Sequence, residues 1–457
     1  LKAKKIHMVS LGCPKNLVDS EVMTAILTKS GYVLSPRADD AHIILINTCA
    51  FILPAKEESI DEILRMADWK KKGKGPCTLL VVTGCLPQRY GKTLEKELPE
   101  VDLFMGVNEV PNIAYHLDRL SSSPLPDHRS IISKPTFLMN ADHPRLIAAP
   151  PHSAYLKVAE GCSNRCSYCV IPSVRGKARS RKIDDLLTEA ETLAARGVKE
   201  IIITAQDTTA YGRDLRGKST LGDLLKGLAS IQSIHWIRLL YTYPAALTDD
   251  MLETIAAEEK ICHYIDIPVQ HIDDSILKAM NRRGGSDLIK KTIEKARRII
   301  PDVALRTSII VGFPGETRAR FSRLVDFIRE IRFDHLGVFT YSREEGTRAA
   351  AIASRISEKE KEDRRRIIME EQASISYKIN QSLIGSIQEV LIDGKSDIPD
   401  FTHIGRCRRQ APDIDGVTYV KGNKLATGDL ALCRITSAAE YDLFAETIKK
   451  QNEGNLT

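Results

Sequence analysis

Three times within its first 85 residues the chain closes an apolar run with a short turn and a cysteine: Val9-Ser10-Leu11-Gly12-Cys13, Ile46-Asn47-Thr48-Cys49 and Val82-Thr83-Gly84-Cys85. The runs Ile6–Leu11, Ile43–Asn47, Leu79–Thr83 and Leu103–Val107 read as strands, and segments of helical character follow the first three. That alternation predicts a parallel α/β sheet. In an open parallel sheet ligands collect beyond the carboxyl ends of the strands. Cys13, Cys49 and Cys85 are therefore expected to converge although they lie far apart in sequence. A lone free cysteine is usually a small buried apolar residue, but three at one topological position predict a three-thiolate cluster site.

Residues 121–151, rich in Ser, Pro and His, read as a linker. A second α/β series follows, with strands expected near Tyr155–Ala159, Ile201–Ala205, Trp236–Tyr241, Tyr264–Pro268, Ala304–Val311 and Leu336–Phe339. Six such units predict an open barrel. The charge-dense stretch Ser357–Lys378 reads as a solvated helix joining domains. Beyond Gly385, short strands punctuated by Asp393-Gly394, Asp415-Gly416, Gly422-Asn423 and Thr427-Gly428-Asp429 predict a small antiparallel barrel. The expected division is 1–120 for the first α/β domain, 121–151 for the linker, 152–375 for the barrel-like domain, 376–446 for the small β-barrel and 447–457 for a tail.

The first strand of the second series opens directly into Glu160-Gly161-Cys162-Ser163-Asn164-Arg165-Cys166-Ser167-Tyr168-Cys169. A C-x3-C-x2-C loop can wrap three corners of an iron–sulfur cubane and leave its fourth iron without a protein ligand. The alternative is structural zinc, which is tetrahedral and closed by four ligands; a fourth local ligand is missing here. Of the ten cysteines, Cys77, Cys262, Cys407 and Cys433 show no such pattern and are expected to pack.

Composition narrows the class. Hydrophobic residues make up 43% and charged residues 28% of 457, which is globular, and no apolar run approaches the roughly 18 residues that span a bilayer. The chain opens on Leu1 and a basic stretch, but Ile6–Leu11 is too short for a signal-peptide core. A cytoplasmic location is expected, and in that reducing compartment ten cysteines point to metal ligation or catalysis rather than disulfides. The net charge of +6 is compatible with a ribosomal or nucleic-acid partner without selecting one.

Together, Leu11-Gly12-Cys13-Pro14-Lys15-Asn16-Leu17-Val18-Asp19-Ser20-Glu21, Asn47-Thr48-Cys49-Ala50-Phe51, Gly84-Cys85-Leu86 and the 162–169 loop resemble the radical S-adenosylmethionine methylthiotransferase family over nearly the whole chain. The resemblance implies an N-terminal auxiliary-cluster domain, a central open (β/α)6 partial barrel and a C-terminal TRAM-like barrel. It also implies two 4Fe-4S clusters, held by Cys162, Cys166 and Cys169 and by Cys13, Cys49 and Cys85. Two molecules of S-adenosylmethionine would be used, one to methylate a cluster-associated sulfur and one to supply a radical that removes an unactivated hydrogen. An electron donor such as flavodoxin or ferredoxin is implied; no membrane is.

Gly12-Cys13-Pro14-Lys15-Asn16 and Gln410-Ala411-Pro412-Asp413-Ile414-Asp415-Gly416 look like the branch acting on ribosomal small-subunit protein S-twelve, where an aspartate β-carbon gains the methylthio group. The tRNA adenosine branch, the alternative, typically has Gln-Met-Asn after the first cysteine. Between Ser376 and Glu446, eight Lys and Arg stand against ten Asp and Glu, an acidic balance that favours a basic protein over RNA, although Arg406, Arg408 and Arg409 form a local basic strip. A non-enzymatic, zinc-stabilised RNA-binding protein is a further alternative. Tyr168 fits the family's loop as a cofactor contact. The strand-end residues Gln206, Asp207, Gln270, His271, Arg306, Ser308 and Gly312-Phe313-Pro314-Gly315-Glu316 are the remaining candidates, because sites of such barrels gather at that face and a glycine lets backbone approach a ligand. No catalytic acid, base or nucleophile is assigned, and Arg175–Arg181 carries no assigned role.

Overall fold

The computed structural model describes residues 4–71, 73–122, 128–148, 150–217, 219–422 and 424–448. The expected tail from 449 onward, and Asn423 of one predicted turn, lie outside the described residues. The N-terminal sheet is six-stranded and wholly parallel, in the order Val33–Leu34, Lys5–Ser10, Ile43–Thr48, Leu79–Gly84, Leu103–Met105, Ser130–Ile131. The Ile43–Thr48 and Leu79–Gly84 strands are buried at every position, as strands covered on both faces must be. The two outer pairs of residues, Val33–Leu34 and Ser130–Ile131, are too short to show periodicity in sequence.

The Pro14–Lys29 helix begins with Cys13 as its N-cap and proline at its first turn, where a missing N–H costs nothing. It has no simple polar face, because Asn16, Asp19, Ser20 and Glu21 are buried along with Val18, Val22 and Met23. One side lies on the N-terminal sheet, and the other meets the Ser153–Lys157 strand of the next domain.

Between the domains, the stretch read as a linker is pinned. It contributes the Ser130–Ile131 strand, and Arg145, buried, pairs with Glu21 at 2.6 Å and Glu189 at 2.7 Å. Polar pairing of this kind leaves no apolar rhythm in the sequence.

The central sheet runs in chain order through Ser153–Lys157, Glu200–Thr204, Trp236–Leu239, Ile261–Asp266, Ala304–Val311 and His335–Thr340, all parallel and open at both edges. Its helices cover one face through a large apolar core that includes Leu156, Ile201, Leu224, Ile265 and Leu324.

The Ser357–Lys378 stretch departs from its expectation as a solvated connector. The helix is Glu358–Ser382, and Lys361, Arg364, Ile368, Gln372, Ile375 and Ser376 are buried along one face. Gln372 donates to the Phe333 carbonyl at 2.7 Å and Arg364 to Glu316 at 2.6 Å, so the buried stripe is largely polar and reads as a solvent face. The helix also runs through residue 376, and the barrel's first strand begins at Ile387.

The C-terminal barrel closes in the order Ile387–Lys395, His403–Cys407, Thr418–Lys421, Leu443–Thr447, Leu430–Ala438. Its Thr418–Lys421 and Leu443–Thr447 pairing is parallel and the rest antiparallel. Five strands closed in a ring cannot alternate direction throughout, so one parallel pair is required. The barrel docks through its arginines. Arg406, steadied by Asp393 of the barrel itself (2.8 Å), is buried against Glu200 (2.7 Å), Arg408 donates to the Glu259 carbonyl (2.6 Å), and Arg409 pairs with Asp334. The basic strip seen in the sequence is thus committed within the protein. Among the described residues no helix is long and apolar enough to cross a membrane.

Candidate active site

The N-terminal cysteines stand at carboxyl ends of parallel strands, and the 162–169 loop lies beyond the carboxyl end of the parallel Ser153–Lys157 strand, past a short antiparallel pairing. The radical-type loop leaves the Ala159–Glu160 strand, which pairs with Arg179–Ser180. Gly161 turns the chain with φ +78°, and a Cβ there would meet the carbonyl oxygens of Gly176 (2.6 Å) and Lys177, so only glycine fits. Backbone bonds then fix the loop: Cys162 N–H donates to Gly176 (3.0 Å), Ser167 N–H to Met280 (2.8 Å), and Ala349 N–H to Ser167 (2.8 Å). Burial pushes the Cys162 thiol up to about 11 and Cys169 up to about 12, with the neighbouring thiol Cys166 adding to both.

In the N-terminal domain the three cysteines meet likewise. A Cβ on Gly12 would fall 3.1 Å from the Cys49 Sγ. Gly84 has φ +99°, and a Cβ there would meet Asn47 Oδ1 and the Thr48 carbonyl, 2.7 Å away. Asn47 in turn donates to the Asn16 carbonyl at 2.9 Å, and Asn16 to Leu11 (3.0 Å) and Thr48 (2.8 Å). With the Thr48 hydroxyl donating to the Thr83 carbonyl at 2.6 Å, these bonds staple the three strand ends together. Burial, then Cys85 and Cys13, push the Cys49 thiol up to about 12. The remaining cysteines Cys77, Cys262, Cys407 and Cys433 are buried.

Among the described residues no group of three or more His, Cys, Asp or Glu is set to hold a single metal ion. Thiolates of a cubane each bind a different iron and so stand farther apart than ligands of one ion. A set of three cysteines in each place, with no four-ligand group among the described residues, suits a cluster rather than zinc.

The two sets are joined by a buried polar network. Arg175 donates to Asp19 at 2.7 Å, Glu160 at 3.3 Å, Asn16 and the Cys85 Sγ at 3.5 Å. Lys157 binds Glu160 at 2.8 Å and also Asp19. Burial opposes ionisation of Glu160, and Lys157 and Arg175 outweigh it, holding the carboxyl well below its ordinary range. Sequence reasoning missed this network. Arg175 fell in the segment without an assigned role, as did Arg181, which is buried against Asp185 and Glu189.

The expected cofactor contacts divide. Gln206 donates to Glu160 at 2.9 Å while its Oε1 is buried without a partner; an orphaned acceptor beside the 162–169 loop fits a ligand that brings a donor, as an amino acid or nucleoside does. Asp207 accepts from Asn164 of the loop at 2.6 Å. Gln270 takes a left-handed backbone, φ +70°, locked by bonds with Ser308 and Ile310 of the next strand. Tyr168 packs behind the loop against Met280 and Phe313 and accepts from Arg282 at 3.5 Å. Ser308 lies 3.5 Å from Arg306, whose guanidinium is taken by Asp266 (3.1 Å) and by Asp415 of the C-terminal domain (3.3 Å). Gly312 does not present a bare backbone: the Lys361 side chain covers its α-carbon, and its N–H donates to Glu316. His271 is fully buried, accepting from Asp273 N–H at 2.9 Å through Nδ1 and facing Glu316 at 3.2 Å. Arg306, Gly312 and His271 are thus engaged within the chain.

An open six-stranded parallel sheet with a three-cysteine loop at the end of its first strand defines a radical S-adenosylmethionine enzyme. Residues 156–328 match the Radical SAM superfamily, 5–106 the uncharacterized protein family UPF0004, and 384–448 the TRAM domain. A solved radical S-adenosylmethionine methyltransferase, TsrM from Kitasatospora setae, shares the fold with TM-score 0.52 at 14% identity, covering 74% of this chain and 73% of its own.

Along its full length the chain is 61% identical to the ribosomal protein uS12 methylthiotransferase RimO of Syntrophus aciditrophicus (strain SB), covering 98% of this chain and 99% of that protein. It is 49% identical to the protein of that name from Geobacter sulfurreducens, covering 97% and 99%. The chain belongs to this radical SAM methylthiotransferase family. Membership implies a 4Fe-4S cluster and S-adenosylmethionine.

Proposed function

We propose that this protein adds a methylthio group to the β-carbon of an aspartate in ribosomal protein uS12, using two 4Fe-4S clusters and two molecules of S-adenosylmethionine. Cys162, Cys166 and Cys169 would hold the cluster that binds S-adenosylmethionine, and Cys13, Cys49 and Cys85 the auxiliary one. The observation that carries the reading is the approach of two three-thiol sets across one domain boundary, bridged by Arg175, in a chain so similar to named uS12 methylthiotransferases. The bound groups would supply the one-electron chemistry that breaks an unactivated C–H bond, which no side chain can do.

The chain's own residues supply placement. Gly161 and the backbone bonds to Gly176 and Met280 fix the cysteine loop. Gln206, held by Glu160, offers its free acceptor to the cofactor. Arg175 and Lys157 neutralise Asp19 and Glu160 and lock the domains face to face. An electron donor such as flavodoxin or ferredoxin and a cytoplasmic location belong to the same proposal; ten free thiols suit a reducing compartment.

The decisive experiment reconstitutes the protein anaerobically with iron and sulfide, adds S-adenosylmethionine and reductant, and offers uS12 and tRNA together. A gain of about 46 Da on an aspartate of uS12, the replacement of H by SCH3, is expected. A gain on a tRNA adenosine overturns the substrate, and modification of neither overturns the activity.

A further inference from the structure

Nine Lys and Arg side chains are buried among the described residues. Eight of them, Arg145, Lys157, Arg175, Arg181, Arg238, Lys361, Arg364 and Arg406, bind a carboxylate. The ninth is Lys15, two residues beyond Cys13, only 7% exposed and with no carboxylate in ion-pair reach among the described residues. Its ammonium lies 3.5 Å over the centroid of the Tyr241 ring, just past the carboxyl end of the Trp236–Leu239 strand. Lys15 therefore reaches from the auxiliary cysteines across to the active face of the central sheet.

The surrounding carboxylates are already engaged. Asp19 binds Lys157 and Arg175, Glu160 binds the same two, and Asp266 binds Arg306 and the Tyr241 N–H at 3.0 Å. Tyr241 is itself held at φ +60°, an uncommon backbone for an aromatic residue, so the platform under the ammonium is fixed. A ring face stabilises a cation only in part, and beyond Tyr241 the group that favours the charged form is the thiol of Cys13, so Lys15 has no carboxylate of its own. A lysine that is the one buried cation without a carboxylate among the described residues, set over a ring at the active face of the central sheet, can take a carboxylate that arrives with the substrate.

We propose that Lys15 is the binding residue for the carboxylate of the substrate's acceptor aspartate, held beside the auxiliary cysteines above Tyr241. This rests on the substrate reading given above and adds to it the group that tells an aspartyl side chain from an uncharged one. The carboxylate would displace no carboxylate already paired with Lys15. Neutral groups gain nothing comparable there, since hydrogen bonds between charged partners are about twice as strong as neutral ones.

The test is binding, measured by fluorescence anisotropy with labelled uS12 and with its acceptor Asp→Asn variant, on the reconstituted full-length protein. The wild-type protein is expected to prefer the aspartate form by about 10- to 100-fold, the range for a charged hydrogen bond. Lys15→Met, of similar length and uncharged, should bind both forms alike at the asparagine level, with iron and sulfide content unchanged. Lys15→Gln, which keeps a donor without the charge, should do the same. A preference that survives in both variants overturns the proposal alone, as does loss of the N-terminal iron from both, which would assign the charge to the cluster. Absence of any preference in the wild-type protein likewise overturns the proposal, whereas failure of the wild-type protein to bind either form of uS12 overturns the substrate reading on which it rests.

Discussion

The guanidinium of Arg175, carried by the central domain, stands 3.5 Å from the Sγ of Cys85, carried by the N-terminal domain. The same group reaches Asp19 on one side and Glu160 on the other, and Glu160 is two residues from Cys162. One buried cation thus touches the auxiliary thiols, the first helix and the root of the second thiol loop. A relative movement of the two domains would break the bonds to Asp19 and Cys85 at once and leave only Glu160.

Removing that cation leaves Asp19 and Glu160 sharing only Lys157. Arg175→Met is expected to destabilise the apo protein by about 3–5 kcal/mol, the range for breaking a buried ion pair by deleting one partner. Arg175→Lys restores the charge without the forked reach and should recover only part of the loss. Urea unfolding of the full chain measures both, and an Arg175→Met midpoint equal to wild type would exclude a structural role for the network.

Gly161 is a second point at which the geometry is brittle. Alanine there must hold φ +78° and press its Cβ against the carbonyls of Gly176 and Lys177. Strain of about 1–3 kcal/mol would be relieved by displacing the strand end that carries Cys162. Gly161→Ala should therefore lower iron bound by the 162–169 loop and the yield of 5′-deoxyadenosine, while N-terminal iron stays. Equal iron content in variant and wild type would show that the loop tolerates the shift.

The two cysteine sets should separate functionally. Cys166→Ala is expected to abolish cleavage of S-adenosylmethionine and leave the N-terminal cluster in place. Cys49→Ala should retain at least part of that cleavage and lose methylthio insertion. Chromatography of 5′-deoxyadenosine alongside mass spectrometry of uS12 distinguishes them; insertion by Cys49→Ala protein would remove the auxiliary assignment.

The cysteines were legible because their signal is local. Strand ends, glycine turns and thiol spacing all sit within a few residues, and the parallel topology carries Cys13, Cys49 and Cys85 to one edge. Arg175, Lys157, Asp19 and Glu21 were not, since each reads as an ordinary surface charge until the partner domain covers it. The helix Glu358–Ser382 misled for the same reason, as its buried face carries Lys361, Arg364 and Gln372. Arg306 stands on the expected strand and Gly312 just after it, but Asp415 has taken the guanidinium of Arg306 and the Lys361 side chain covers Gly312, both more than forty residues away in sequence.

The C-terminal barrel should come away from the central domain in acid. Glu200 is fully buried between Arg238 (2.8 Å) and Arg406 (2.7 Å). Burial disfavours its charge, but Arg406 and Arg238 overcome this and hold its carboxyl at about 2, against an ordinary 4.5. An acid depressed in the folded state binds its proton more readily once unfolded, so its contribution, about 3 kcal/mol, is whole above pH 4.5. It is lost as pH falls from there toward 2. Trp236 lies in the same interface, its indole N–H donating to Glu389 of the barrel at 2.8 Å, and its emission should shift red across that window. Glu200→Gln leaves two guanidiniums facing a neutral amide, and should lower stability at pH 7 by about 3–5 kcal/mol while flattening the acid limb. An acid transition unchanged in Glu200→Gln would place the pH-sensitive contact elsewhere.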